Sequence, residues 1–360
     1  MKLADLARIG RLVRPSEPIR KIRRAVRRRF ARRQGWKLLA KIESHRGPLP
    51  AGLKRQCHDY SRETLGDVGH APWLYAYAAC QRQFREGWIP RSYYMEHVLP
   101  DAYTAGRLCH DRHLTRKILQ TDLLPDVAYV IGGKLYDTAF HRIEAQDARQ
   151  LIFREPTDIL FKINRAPSGR GVCKVTREEL FHINFKSLPD GVFQTRVTPH
   201  PAFDKLLPEH GPTMRLTTVL GVDGKAEIRA AHLRVSRDHT DFVKPSDSVN
   251  VSIDLATGRL DSEGFLTTDL QPTPTHPDTG FTFAGHPMPR FHDAVAQVLA
   301  LHDSCPLGKI VGWDVCIDLE DRIRIFEWNL YAPEIRFLEA TSGPHFRGLG
   351  WEDLWRQPRE

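Results

Sequence analysis

Three oxygen-bearing side chains near the carboxyl terminus have the types and spacing of a metal site. Asp314 follows Gly312-Trp313, and further along the chain Glu327 and Asn329 are two positions apart. Residues two apart on a strand point to the same face, and Asp314 on the preceding strand of a hairpin can face them. Two carboxylates and an amide oxygen suit Mg²⁺, and the absence of His and Cys disfavours Zn²⁺. We therefore expect Asp314, Glu327 and Asn329 to bind magnesium; the alternative is a strand end that merely carries polar groups.

A lysine and a small loop offer partners for phosphate. Lys162 interrupts an apolar run on a strand predicted over residues 158–163, so its ammonium can reach a phosphate as a point charge. Backbone N–H groups of Ser168, Gly169 and Gly171 can approach phosphate oxygens, because glycine has no Cβ. Neither G-x-x-x-x-G-K-[ST] nor G-x-G-x-x-G occurs. The alternative is an exposed strand face followed by an ordinary turn.

Arg215 is a second candidate cation, on a strand predicted over residues 214–222. An arginine that reaches the same cleft can hold a phosphoryl group and stabilise the charge that develops on it. Its alternative is a solvated strand arginine. Taken together, Lys162 and Arg215 are the predicted catalytic residues of a site for a nucleoside triphosphate and magnesium.

The elements that must position these residues alternate between short strands and helices. Strands over 158–163, 172–175 and 191–197, with a helix over 176–187, predict a compact lid. Asp223-Gly224 predicts the turn of a long hairpin. The metal residues follow a helix predicted over 290–304. Because the first part of the chain is mostly helical, the predicted class is α+β.

The charge of the chain is unevenly distributed. Residues 1–60 hold 18 Lys and Arg against 4 Asp and Glu, a net charge of +14, whereas the other 300 residues hold 35 against 40 and carry −5. A basic amphipathic leader of this kind, with helices predicted over residues 3–14 and from Glu17, suits an anionic membrane surface bound through residues 1–45. The alternative is a solvated helix that docks on the body by its apolar stripe. Nucleic acid is not an expected partner, since aromatic residues are not interleaved with the basic ones.

Other features of the composition concern the compartment. The six cysteines are scattered and include no C-x-x-C pair, which indicates reduced thiols. Neither a secretory signal nor a transmembrane run is recognisable. We expect a cytoplasmic protein, peripheral at the inner face of the membrane if the leader binds lipid.

The order of these motifs resembles the ATP-grasp superfamily, and in particular the sugar-transfer-associated ATP-grasp proteins. The resemblance rests on Lys162, Ser168-Gly169-Arg170-Gly171-Val172, Phe193-Gln194-Thr195-Arg196-Val197, Thr213-Met214-Arg215, Gly312-Trp313-Asp314 and Glu327-Trp328-Asn329. It implies an ATP-grasp fold, in which two α+β subdomains clasp ATP, preceded by a helical N-terminal region. The expected divisions are a basic leader (1–60), a helical subdomain (61–140), a lid subdomain (141–198) and a C-terminal subdomain with the metal site (199–350).

The resemblance also implies roles for the site residues. Lys162 would contact the α- or β-phosphate of ATP. The loop of Ser168, Gly169, Arg170 and Gly171 would fold over the β- and γ-phosphates. Gln194 and Val197 would lie at the adenine hinge, and Asp204 would contact the ribose.

The implied activity is that of an ATP-dependent carboxylate–amine ligase. A small-molecule or glycan carboxylate would form an acyl phosphate that an amine acceptor attacks, in cell-surface polysaccharide or glycoconjugate biosynthesis. One alternative is a phosphotransferase on the same fold. Another is a non-catalytic scaffold docked on the membrane with a vestigial nucleotide site.

Overall fold

The computed structural model describes residues 17–99, 105–154, 158–166, 171–207, 211–237, 248–330 and 333–357. The chain divides into two compact units, Met1–Val98 with Glu339–Glu360 as unit 1 and Leu99–Leu338 as unit 2. The helix predicted over residues 3–14 lies outside the described residues.

The described part of unit 1 is built from helices. They are α1 (Glu17–Arg46), α2 (Ala51–Glu63), α3 (Ala71–Gln81) and α4 (Arg91–Tyr93), which continues as a π-helical turn over Tyr94–Val98. A 3₁₀ helix over Trp351–Arg356 returns to this unit, where Tyr93 Oη donates to the Trp351 carbonyl oxygen at 2.7 Å.

The basic helix α1 docks on α3 through small and apolar residues. Leu38, Leu39 and Ile42 are buried, and Trp73 Nε1 donates to the Ala31 carbonyl oxygen at 3.0 Å. A Cβ at Gly35 would lie 3.0 Å from the backbone of α3, so glycine allows the two helices this close approach. The described side chains of α1 therefore fit the alternative prediction, a helix that docks on the body by its apolar stripe. Among the described helices, none combines the length and apolar content needed to cross a membrane.

Unit 2 contains two antiparallel sheets. The first has six strands in the order β3-β2-β1-β6-β4-β5. These are β1 (Asp126–Ile131), β2 (Lys134–Asp137), β3 (Arg142–Ile143), β4 (Ile159–Ile163), β5 (Val172–Val175) and β6 (Gly191–Thr195). Its helices are α5 (Arg112–Leu119), α6 (Ala145–Ile152) and α7 (Arg177–His182), and its core includes Phe161, Phe193 and Leu180.

The second sheet of unit 2 has seven strands in the order β11-β10-β9-β8-β7-β12-β13. They are β7 (Thr213–Leu220), β8 (Ala226–Ser236), β9 (Ser248–Ile253), β10 (Leu260–Leu266), β11 (Pro272–Thr273), β12 (Ile310–Ile317) and β13 (Ile323–Asn329). Helix α8 (Phe291–Ser304) packs against it, and α9 (Arg336–Thr341) follows β13. Asp223 and Gly224 form the β7–β8 turn as predicted.

Alternation along the strands gives the seven-stranded sheet two different faces. Leu216, Leu233, Val251 and Trp313 point to α8 and form one hydrophobic core with it. The residues between them point the other way, since side chains alternate across a strand. We call this second side the polar face; it comprises Thr213, Arg215, Thr217, His232, Arg234, Ser236, Ser248, Asn250, Ser252, Asp314, Glu327 and Asn329.

These elements confirm the α+β class with a helical N-terminal region. Two of the expected divisions fall inside continuous structure. The boundary after residue 60 lies within α2, and the boundary after residue 140 separates β1 and β2 from β3, with which β2 pairs. Contact within the chain instead separates unit 1 from unit 2 near residue 98 and returns to unit 1 at residue 339.

Candidate functional site

The three predicted metal ligands lie on adjacent strands of the seven-stranded sheet. Antiparallel pairing places Asp314 directly opposite Glu327, and Gly312 opposite Asn329. The pairing shifts after this point, because Phe326 is an extra residue on β13. Asn329 Nδ2 donates to the Gly312 carbonyl oxygen at 3.2 Å. The structure therefore brings Asp314, Glu327 and Asn329 together on the polar face.

Asp314 is also the counter-ion of two arginines. Arg215, opposite it on β7, donates from Nε to Oδ1 at 2.6 Å and from Nη2 to Oδ2 at 2.9 Å. Arg234 on β8 adds one contact, from Nη1 to Asp314 Oδ1 at 3.3 Å. Arg215 and Asp314 are only 4% and 8% exposed, so this bidentate pair is a buried one. Arg215, predicted as catalytic, lies beside a predicted metal ligand.

The pKa shifts follow from this arrangement. Burial alone would raise the pKa of Asp314, but the charges of Arg215 and Arg234 hold it below its usual range. Burial, and then the nearby Arg215 cation, lowers the pKa of Arg234 to about 10. Two arginines therefore surround this one carboxylate, and Glu327 and Glu334 act on both of them as further negative charges.

Gly312 makes room for the Arg215 side chain. A Cβ at this position would lie 2.9 Å from Arg215 Nη1. The glycine before Trp313 therefore permits the guanidinium to cross β12 and reach Asp314.

Glu327 differs from Asp314 in having no hydrogen-bond or ion-pair partner among the described residues. Burial, and then repulsion by Asp314, raises the pKa of Glu327. A half-buried carboxylate of this kind gains from a cation.

Lys162 belongs to the six-stranded sheet but faces β13. Its Nζ lies 5.4 Å from the centre of the Phe326 ring, in the geometry of a cation–π contact. Burial, and then the Arg112 cation, lowers the pKa of Lys162, whereas Glu327 and Asp126 act in the opposite direction. The predicted phosphate lysine is thus next to the predicted metal residues.

The donor set fits magnesium. Asn329 Oδ1 and the Glu327 carboxylate are oxygen ligands of the kind that Mg²⁺ prefers. Asp314 already accepts three arginine N–H groups, and a carboxylate has about four lone-pair positions. Asn329 also hydrogen-bonds to Asp314, so Asp314 can bind a cation only if one of these donors moves.

The three residues expected to contact adenosine occupy different settings. Gln194 on β6 is buried, and its Nε2 donates to Asp126 Oδ1 at 2.6 Å. Val197 follows the end of β6 and is half-buried. Asp204 is exposed after a 3₁₀ turn over Pro201–Phe203. The Gln194 side chain is therefore oriented by Asp126, while Asp204 is open to solvent.

Residues 184–348 match the family model described as sugar-transfer associated ATP-grasp. This stretch is similar to the sugar-transfer associated ATP-grasp family. The resemblance and the ATP-grasp fold are confirmed by this match, which covers β6 to β13 and so includes Arg215 and the three metal residues. No curated protein matches the sequence significantly.

Several solved ATP-grasp structures are similar to the chain at low identity. N5-carboxyaminoimidazole synthetase from Staphylococcus aureus complexed with ADP is 12% identical, with 73% of this chain and 51% of that one covered and a TM-score of 0.39. The biotin carboxylase domain of Hydrogenobacter thermophilus 2-oxoglutarate carboxylase, complexed with MgADP, ADP and bicarbonate, is 11% identical, with 71% of this chain and 47% of that one covered and a TM-score of 0.39. The ATP-grasp ligase PsnB, complexed with a minimal precursor, is 14% identical, with 85% of this chain and 75% of that one covered and a TM-score of 0.40. The matched part is about half the length of the first two structures.

The lid loop of the ATP-grasp prediction is only partly described. Ser168, Gly169 and Arg170 lie outside the described residues. Gly171 has φ +80°, a conformation that favours glycine, and its carbonyl oxygen accepts from the Ile163 N–H at 2.8 Å.

Helix α5 is tied to the strand that precedes this loop. Arg112 Nη1 donates to the Ile163 carbonyl oxygen at 2.8 Å, and its backbone N–H donates to Asn164 Oδ1 at 2.8 Å. Asp111 accepts from Asn164 Nδ2 at 2.8 Å and from Arg165 Nη2 at 2.6 Å. The ends of β4 and the start of α5 are therefore held together beside Lys162.

Sequence reasoning missed two parts of the polar face. It did not single out Arg234 or Asn250, although the structure places both on the same face as Arg215 and Asp314, one row along the sheet. A signal was present: residues 232–236 and 248–253 alternate strictly between polar and apolar residues. Counting back from the β7–β8 turn would not have aligned Arg234 with Arg215, because a β-bulge shifts the pairing of these strands by one residue.

Proposed function

We propose that the protein is an ATP-dependent carboxylate–amine ligase. The observation that carries this proposal is the convergence of Lys162 from one sheet with Glu327, Asp314 and Arg215 from the other. The family match over residues 184–348 supports the nucleotide as ATP. The ATP-grasp structures in complex with ADP or MgADP add the same expectation for cofactor and metal.

The proposed reaction has two steps. A carboxylate oxygen of the substrate attacks the γ-phosphorus of ATP, the bond from that phosphorus to the β,γ-bridging oxygen breaks, and ADP leaves. The amine nitrogen then attacks the acyl carbon, the carbon–oxygen bond to phosphate breaks, and the amine loses a proton as the amide forms. The products are ADP, inorganic phosphate and the amide, so no covalent bond to the enzyme is needed.

The chain's own residues supply charge and position in this scheme. Lys162 would hold the α- or β-phosphate, and Arg215 would face the phosphoryl group in transfer from its position beside Asp314. Asp314, Glu327 and Asn329 would hold Mg²⁺, which when bound supplies positive charge to the phosphate oxygens. The loop of Ser168, Gly169, Arg170 and Gly171 would cover the β- and γ-phosphates and exclude water from the acyl phosphate.

We propose the residues that contact the adenosine part of ATP from the same family resemblance. Gln194 and Val197 would line the adenine, because they lie near and just beyond the end of β6, which pairs with β1 and β4. Asp204, which is exposed, would accept from a ribose hydroxyl.

The biological setting and the membrane are further parts of the proposal. The family description supports a role beside sugar transfer, such as polysaccharide or glycoconjugate biosynthesis. We also propose that residues 1–45 contact an anionic membrane surface. Leu38, Leu39 and Ile42 would not take part in this contact, because they are buried in the core of unit 1. Among the side chains of α1 that the structure describes, the large apolar ones that are exposed are Phe30 and Trp36.

Product analysis tests the ligase proposal. The full chain is incubated with ATP, Mg²⁺, a pool of sugar acids and a pool of amino acids, and ADP and free phosphate are measured. We expect both to be released only when a carboxylate and an amine are present together. ADP with a phosphorylated hydroxyl product would identify a phosphotransferase, and failure of ATP–Mg²⁺ to bind would favour the scaffold.

A further inference from the structure

The polar face continues past the predicted metal residues onto β8 and β9. Arg234 is directly opposite Asn250, and Ser236 is directly opposite Ser248, so these four side chains share one side of the sheet. Their neighbours Leu233, Val235, Val249 and Val251 point to the core beneath. The result is a patch of small polar residues next to the arginines.

Two buried polar groups in this patch have no partner among the described residues. Asn250 is 7% exposed and its Oδ1 accepts no hydrogen bond. Ser236 is 1% exposed and its Oγ is likewise unpaired. A buried unpaired polar group costs about 1–3 kcal/mol, so such groups commonly mark a place where a ligand or water completes the hydrogen bonds.

Arg234 supplies a cation beside these groups. Arg215 binds both oxygens of Asp314, whereas Arg234 makes one longer contact of 3.3 Å to Oδ1. Its Nε contacts His232 Nε2 at 3.4 Å. The guanidinium has five N–H groups, and Nη2 donates to no described residue. Arg234 therefore has donors left for a second anion.

We propose that Arg234, Asn250 and Ser236 form the acceptor subsite, and that its ligand is a carboxylic acid that also carries hydroxyl groups. This rests on the proposed function, because the bound carboxylate would be the one that attacks ATP. Arg234 pairs with the carboxylate, since a guanidinium matches that anion in shape and charge. Asn250 Oδ1 accepts from a substrate hydroxyl, and Ser236 Oγ either donates or accepts.

The location agrees with the chemistry. Arg234 is one hydrogen bond from Asp314, so a carboxylate on its free side lies next to the predicted magnesium residues.

Binding of small acids to the full chain tests the subsite. Thermal unfolding is followed with D-glucuronate, D-galacturonate or D-gluconate, and with D-glucose and acetate as controls, each with and without ATP–Mg²⁺. We expect at least one hydroxylated acid to raise the melting temperature saturably, with an apparent affinity about tenfold or more above that of glucose and of acetate.

Two variants locate that binding. Asn250→Leu keeps the approximate volume and removes the amide, and Ser236→Ala removes the hydroxyl. We expect each to fold at an unchanged or higher melting temperature without ligand, because a buried unpaired polar group is removed, and to lose most of the response to the acid. Ser187→Ala, at an exposed residue of the 3₁₀ helix that precedes β6, is the control and should respond like the wild type.

Three results would overturn the subsite. One is an equal response to the acid in Asn250→Leu, Ser236→Ala and wild type. Another is a shift in melting temperature that is the same with acetate as with all three hydroxylated acids, or no shift with any of the three acids. The third is destabilisation of both variants without ligand, which would indicate a structural water. The response to ATP–Mg²⁺ alone is measured in the same samples, so a failure of the nucleotide site is seen separately.

Discussion

The two faces of the seven-stranded sheet are built from the same strands, but their buried side chains need different kinds of contact. On the side of α8, Leu216, Leu233 and Trp313 are fully or almost fully buried and need only contact with other apolar groups. On the polar face, Arg215, Asp314 and Asn250 are buried to a similar degree. There each group needs a partner of opposite charge or matching hydrogen-bonding character.

The polar face meets that requirement only in part. Arg215 and Asp314 neutralise each other, but Arg234 has donors left, and Glu327 and Asn250 Oδ1 have no partner among the described residues. The apolar face is complete as it stands. The apolar face therefore stabilises the fold, and the unpaired groups of the polar face are the ones that we propose bind ligands.

The largest loss of stability is expected on the apolar face. Trp313→Ala should lower the free energy of unfolding by about 3–5 kcal/mol, because a large buried side chain is lost. The hydrogen bond from Trp313 Nε1 to Thr218 Oγ1, 2.8 Å long, is lost with it. Urea denaturation measures the change. Leu319→Ala, at a site 52% exposed, should stay within about 0.5 kcal/mol.

On the polar face, Asp314→Ala should cost about 3 kcal/mol, because Arg215 is left as a buried charge without its counter-ion. The double variant Arg215→Met with Asp314→Leu should recover most of that stability, since both charges are removed together. The same urea titration applies, with Glu320→Ala as an exposed control. A double variant no more stable than the single one would show that the pair is needed for the fold itself.

A buried carboxylate in unit 1 sharpens the comparison, because no cation of the described part of the chain pairs with it. Glu339 accepts backbone N–H groups from Ile89 and His345 at 2.8 Å each, and burial raises its pKa to about 8. A raised carboxyl pKa means that its contribution to stability is full below the unfolded pKa of about 4.3 and declines as the pH rises towards about 8.

The melting temperature should therefore fall between about pH 5 and pH 8, and Glu339→Gln should weaken this slope. Thermal unfolding in a buffer series tests the sign. A melting temperature that rises over this interval in the wild type and is unaffected by Glu339→Gln would contradict the assignment.

The smallest change in stability, with the largest change in activity, is expected for Glu327→Ala. The residue has no partner among the described residues, so its removal should alter the free energy of unfolding by less than about 1 kcal/mol. Magnesium-dependent ATP turnover should fall by about 10²-fold or more, because an oxygen ligand at the phosphates is lost. Phosphate release and urea denaturation are measured on the same preparation. Unchanged turnover would count against the metal assignment.

Much of the fold was predictable from local pattern. The strand with Lys162, the turn at Asp223-Gly224 and the helix before the metal residues follow from alternation, turn chemistry and helical periodicity. The bidentate pair of Arg215 and Asp314 was not predictable in this way, because 98 residues separate them and their contact depends on β7 pairing with β12. The helix predicted from Glu17 runs through Gly35 to Arg46, and docking on α3 offsets the weak helix propensity of that glycine.

The sequence alone determined which side chains alternate, and hence that one face of the large sheet would be polar and which chemical groups it would present. Only the tertiary structure decided which groups meet. Asp314 pairs with two arginines, Glu327 forms no ion pair or hydrogen bond with a described residue, and Lys162 lies over the Phe326 ring. The physical reason is that alternation is a property of each strand by itself. Charge balance and hydrogen-bond satisfaction, in contrast, depend on the neighbours that strand pairing brings together.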